Sequence, residues 1–142
     1  MKVEGYMTTV ERFEDLDVWK RARRLANLIY DSTEGEAFKR DFALRDQIRR
    51  AAISILSNIA EGFESRTQAL FIEYLGRAKA SCGELRAQLY LALDRKYLSQ
   101  EQFEKAVEEA EICSRQIASL SRYLESKPNA QRIREEGTSY HV

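Results

Sequence analysis

The 142-residue sequence predicts an all-α protein folded as an antiparallel up-down-up-down four-helix bundle. Three observations predict it. Apolar residues recur in steps of three and four over four long segments, and nowhere with the period-two alternation of a strand. Proline is absent before Pro128 and the chain has only six glycines, so those segments run uninterrupted. The connections at 64–67 and 96–99 are short, which makes the segments they join antiparallel neighbours.

The first helix is expected over 17–32, where Val18, Ala22, Leu25 and Ile29 share one face and Trp19 and Ala26 widen it. Gly35 and its polar neighbours break the pattern. The second is expected over 42–64. Ile48, Ala52, Ile55, Ile59 and Phe63 form one stripe, and Ile53, Leu56 and Ala60 form another. A helix apolar on more than one side is buried on more than one side. The third spans 67–96, with Phe71, Leu75, Ala78, Cys82, Leu85, Leu89 and Ala92 in unbroken alternation of four and three. Ser65 followed by Gln68 reads as its capping box, in which the two side chains satisfy orphan amides. The fourth spans 100–126, with Phe103, Val107, Ala110, Ile117, Leu120 and Leu124 inward and a capping box from Ser99 and Gln102. Pro128 ends it. The expected organisation is an N-terminal extension over 1–12, a bundle domain over 13–127 and a flexible polar tail over 128–142.

Beside its core stripe the third helix carries a second one: Leu70, Tyr74, Arg77, Ser81, Glu84, Gln88 and Leu91. It is apolar at its ends and polar between. A lone bundle would leave this surface exposed, and large exposed apolar patches mark interaction sites. A homo-oligomer joined through the second and third helices is therefore expected. The alternative is a single bundle widened by its large Tyr and Phe side chains.

Composition and motifs exclude most chemistries. Apolar residues make up 44% and charged residues 32%, which fits neither a disordered chain nor a membrane protein. No signal-like core occupies 1–10 and no run reaches the roughly 20 apolar residues of a span, so a cytoplasmic protein with no membrane partner is expected. Cys82 and Cys113 lie 31 apart without a CxxC pattern, and read as small core hydrophobes rather than metal ligands. The single histidine, His141, is in the tail. No Glu-x-x-His motif exists for a di-iron site, and no phosphate-binding glycine loop is present. No catalytic residue, cofactor or metal is expected.

Lysine and arginine number 23, as do aspartate and glutamate, so the formal net charge is zero. That neutrality is dipolar in sequence. Residues 18–50 hold nine basic and five acidic residues, whereas the start of the fourth helix sets Glu101, Glu104, Glu108, Glu109 and Glu111 against Lys105. One reading makes Lys20, Arg21, Arg24, Arg45, Arg49 and Arg50 an RNA- or DNA-binding surface, since phosphate contact is collective. The other makes them a solvated face whose charges pair between neighbouring helices.

The run Gln47-Ile48-Arg49-Arg50-Ala51-Ala52, with Ser54 and then Asn58-Ile59-Ala60-Glu61-Gly62, resembles the signature of the ribosomal-RNA intervening-sequence proteins, small four-helix bundles. Phe13, Leu16, Trp19, Ala22 and Tyr30 match that family's first helix. Tyr74-Leu75, Ala78-Lys79, Ser81, Glu84-Leu85 and Gln88-Leu89 match its third. The resemblance covers about 13–125, with Leu56 and Ala80 standing where the family often has proline and glycine. It implies a cytoplasmic homopentamer of bacterial or phage-related origin, without established enzymatic activity. A related, strongly basic branch binds a reverse transcriptase and nucleic acid, and the neutral charge here departs from that branch. Another protein remains a possible partner. Asn58, Glu61, Ser81, Glu84 and Gln88 are polar groups on faces that otherwise look buried. They line a polar ligand site, or they hydrogen-bond across helices or subunits and set register. Glu61 or Glu84 is expected to pair with Arg49, Arg50 or Arg77. Tyr74 belongs to the same motif face, and Gly62 permits close helix approach or a local bend.

Overall fold

The computed structural model describes residues 10–127, and every regular element within them is helical. The tail over 128–142, with His141, and residues 1–9 of the extension lie outside the described residues. A 3-10 turn over Phe13–Asp15 leads into α1, Asp17–Ser32. Four further helices follow: α2 Glu36–Arg40, α3 Phe42–Glu64, α4 Gln68–Asp94 and α5 Gln100–Glu125.

The stripes predict the core well. Val18, Ala22, Leu25 and Ile29 of α1, and Ile48, Ala52, Ile55, Ile59 and Phe63 of α3, are all buried. All seven residues of the α4 stripe are buried as well. In α5, Phe103, Ala110, Ile117 and Leu124 are buried, whereas Val107 and Leu120 are half-buried at the edge of the core. The most extensive helix contact is α3 with α4, followed by α4 with α5, and α1 lies against both α3 and α5. Val10, inside the expected extension, is buried in the same core, as is Leu16.

Two features depart from the sequence reading. The first is α2. Its five residues carry too little sequence to show a period, yet Phe38 is fully buried and its ring meets that of Tyr97 at 5.2 Å. Asp41 then joins both ends of this corner. One carboxylate oxygen caps α3 by accepting from the Leu44 amide at 3.2 Å, and the other accepts from the Tyr97 hydroxyl at 3.0 Å.

The second departure is the start of α4. Ser65 and Gln68 do not form a capping box. Thr67 is the N-cap, with its hydroxyl accepting from the Leu70 amide at 3.1 Å. Ser65 closes α3 instead, donating its hydroxyl back to the Gly62 carbonyl. Gln68 is buried and donates Nε2 to the Leu124 carbonyl at 2.6 Å, tying the start of α4 to the end of α5. A tertiary partner for the glutamine outcompetes the local one. At α5 the capping box of Ser99 and Gln102 is present as expected.

Between α4 and α5 the chain turns through Lys96, whose φ is +65°. The Tyr97 amide donates to the Ala92 carbonyl and the Lys96 amide to the Leu93 carbonyl, both at 2.9 Å. This is a Schellman closure, with lysine in the left-handed position that glycine usually takes.

Candidate interaction surface

The seam between α3 and α4 gathers most of the residues singled out in the sequence. Gly62 allows a close approach. A methyl group on it would stand 2.7 Å from the Tyr74 Cβ and 2.8 Å from the Phe71 ring. Further along, the Ser54 and Ser81 hydroxyls hydrogen-bond at 2.9 Å. Asn58 donates to the Ser54 carbonyl at 2.8 Å and to its hydroxyl at 2.9 Å. The Ser54–Ser81 bond crosses the helix pair, and Asn58 joins it from within α3. Gln88 continues the row, and its Oε1 is buried without a hydrogen-bond partner among the described residues.

Glu61 and Glu84 are exposed, and neither makes the expected arginine pair. Arg50 binds Asp46 at 2.8 Å and Arg77 binds Glu73 at 3.1 Å, each one helical turn away. Arg49 binds Glu34 at 3.0 Å. A partner one turn away costs little extra ordering of the chain, which is why the i, i+4 pairs form first. Glu84 and Arg50 instead line one open groove with Gln47, Ile53 and Ser54.

The outer sides of α3 and α4 expose large apolar groups among the described residues. Phe42 is 71% exposed and Ile53 41% on α3, and Leu70, Tyr90 and Leu91 are exposed on α4. Ala69, Gly76, Ala80, Gly83 and Ala87 also lie exposed along α4. A methyl group added at Gly76 or Gly83 would meet nothing within 4 Å. The sequence reading included Leu70 and Leu91 but missed the two glycines, which stand seven residues apart. What the sequence could not show is that both point to open space.

The basic residues divide. Lys20 is exposed, and Arg24 is exposed beside Asp31, Lys105 and Glu109. Arg21 turns to α5 and pairs with Glu109 at 2.8 Å, with both side chains about three-quarters buried. Arg86 pairs with Glu111 across α4 and α5 at 3.6 Å. Arg45 is half-buried, with a buried Nε that has no partner among the described residues. Arg49 is a structural clamp. Its Nε donates to the Thr33 hydroxyl at 2.8 Å, Nη2 donates to the Tyr30 carbonyl at 3.3 Å, and the guanidinium stacks on the Tyr30 ring at 4.3 Å. Thr33, Glu34 and Tyr30 carried no signal in the sequence that would have assigned them this role.

Among the described residues, no group of three or more His, Cys, Asp or Glu side chains could hold a metal ion. No helix among them is long and apolar enough to cross a membrane.

Residues 14–119 match the family model described as 23S rRNA-intervening sequence protein. A solved structure from Bacteroides thetaiotaomicron, a protein with unknown function from the S23 ribosomal protein family, is similar with a TM-score of 0.69 and 24% identity. The match covers 74% of this chain and 95% of that one, and at this identity it speaks for the fold alone. No curated protein matches.

Proposed function

The chain belongs to the 23S rRNA-intervening sequence protein family, and from that premise we propose that it is a non-enzymatic, cytoplasmic assembly module. In this reading residues 13–127 form an antiparallel four-helix bundle whose outer α3 and α4 surfaces join copies of the same chain. The family resemblance supports five copies.

One observation carries the proposal. Gly76 and Gly83 lie in the interior of a 27-residue helix and face open space. Each costs about 1 kcal/mol of helix stability relative to alanine. Among the described residues, no turn, close approach or positive φ accounts for that cost. A second helix packed closely on this face accounts for it, and the exposed Leu70, Tyr90 and Leu91 supply apolar contact at either end. Asn58, Ser81 and Tyr74 then support the face from within, and Glu61, Glu84 and Gln88 stand at its margin.

Light scattering behind size-exclusion chromatography tests this. The expected particle is a multiple of the 16.5 kDa chain, and Gly83→Leu shifts it toward the single-chain mass while keeping the helical circular dichroism. A clean single-chain mass for the parent protein at micromolar concentration refutes the proposal.

The competing reading, RNA binding, rests on the family's printed description and on the exposed Lys20 and Arg24. It has less support, because Arg21, Arg49 and Arg50 are already paired with carboxylates. Retention of structured RNA on filters at ~50 mM salt, lost on Lys20→Ala with Arg24→Ala, would favour it over assembly alone.

A further inference from the structure

Between α1 and α5 the surface opens into a groove. Two adjoining hollows of about 360 and 590 Å³ occupy it and share Leu28, Asp31 and Lys105. Leu28 is half-buried and packs against the core, which gives the groove an apolar floor. Arg24 lines one hollow, and Lys20 and Asp17 continue the exposed face of α1 toward its start. Arg24, Lys20 and Asp17 form no ion pair among the described residues. The same holds for Lys79 and Glu84, which are exposed on α4.

Contacts inside the chain set the relative heights of these groups. Gln68 meets Leu124, Arg86 meets Glu111 and Tyr90 meets Phe103, so α4 and α5 run in opposite directions. Arg21 meets Glu109, and Leu28 and Asp31 share a hollow with Lys105 and Gln102, so α1 and α5 are also opposed. The directions of α1 and α4 therefore agree. In this register the exposed Leu91 stands level with Leu28, Glu84 with the turn between Lys20 and Arg24, and Lys79 with Asp17. Rotation about an axis along the helices keeps each residue at its own height. Carried into the groove of another copy in this way, α4 brings Leu91 to the apolar floor, an acid to two free bases, and a base to a free acid.

We propose that the α1–α5 groove receives the outer face of α4 from a second copy of this chain. The inference rests on the assembly proposed above and names the surface that α4 meets there. Only small side chains stand on α4 at Ala80, Gly83 and Ala87, so the helix is narrow where it enters. Groove and helix are different surfaces of one chain. The contact is therefore head-to-tail, and repeated by rotation it closes into a ring.

The test is a chain carrying Asn27→Cys in the groove and Ala87→Cys on α4, both exposed and within a turn of the same height. The folded protein is treated with a short bis-maleimide and run on a denaturing gel. The expected result is a ladder at multiples of 16.5 kDa. Each single variant, and the parent with its buried cysteines, should stay at the single-chain mass. Lys20→Glu with Arg24→Glu should shift the assembly toward single chains in light scattering, and adding Glu84→Lys should restore it. This reversal needs no new cysteine and decides the matter where the cysteine variant does not assemble. All variants are checked for parental helical circular dichroism. A ladder from Ala87→Cys alone would set α4 against α4, and would overturn this inference while leaving assembly intact. An assembled double-cysteine chain without a ladder, or an assembly indifferent to the charge reversal, would do the same. A parent protein that runs as a single chain would overturn both.

Discussion

Substituting Gly62 by alanine tests the packing of the α3–α4 seam, the largest helix contact in the protein. Two effects oppose each other. Alanine favours the helix by up to about 1 kcal/mol over glycine, and by less this close to the helix end. The new methyl group, however, stands 2.7 Å from the Tyr74 Cβ and 2.8 Å from the Phe71 ring. Optimal carbon contacts lie at about 3.5–4.0 Å, so the overlap is about 1 Å. The Tyr74 Cβ is anchored to its backbone and cannot rotate away. Phe71 is fully buried with its ring edge-on to Phe63 at 6.1 Å, which leaves it little room. The helices must part, at a cost of about 1–3 kcal/mol for overpacking. The expected net loss is about 1–2 kcal/mol. Urea unfolding followed by circular dichroism measures it, at protein concentrations low enough to keep assembly out of the midpoint. The midpoint should fall with little change in slope. Gly76→Ala, in open space, is the control, and there the single chain should gain about 1 kcal/mol. A Gly62→Ala protein as stable as the parent, or more so, would refute the reasoning from close approach.

Three further outcomes are expected. Arg49→Lys should cost about 1–2 kcal/mol by denaturant midpoint, because a single ammonium cannot serve Thr33, Glu34 and the Tyr30 carbonyl together. An unchanged midpoint would reduce the clamp to a surface contact. Lys96→Gly should stabilise the chain by about 0.5–1 kcal/mol, since glycine takes a φ of +65° without steric cost; a lower melting temperature would contradict this. A double-mutant cycle on Arg21 and Glu109 should give a coupling of about 0.5–1 kcal/mol that shrinks in high salt. A coupling of zero would mean that the pair only fills space.

The four long helices were legible because their signals are local. The α1 and α3 boundaries coincide with the expected 17–32 and 42–64, and the Ser99–Gln102 box sits where its residues stand in sequence. The box expected at Ser65 and Gln68 failed because Gln68 found a carbonyl 56 residues away. For the same reason the roles of Asp41, Arg49 and Arg21 were illegible. Each is defined by a partner on another helix: Tyr97, Thr33 and Glu109. The basic stretch left two readings open, one surface or charges paired between helices, and folding divided it between α5, the α1–α2 corner and solvent.

By itself the sequence determined the all-helical class, the family, the approximate limits of the four long helices and most of the core, because periodicity and capping act within a few residues of each position. Only the tertiary structure decided that Gly62 is crowded while Gly76 and Gly83 stand open. Only it paired Arg21 with an acid of the last helix. The same residue type has opposite consequences at 62 and at 76 because a glycine's effect depends on what faces it. That is set by how helices distant in sequence pack against each other.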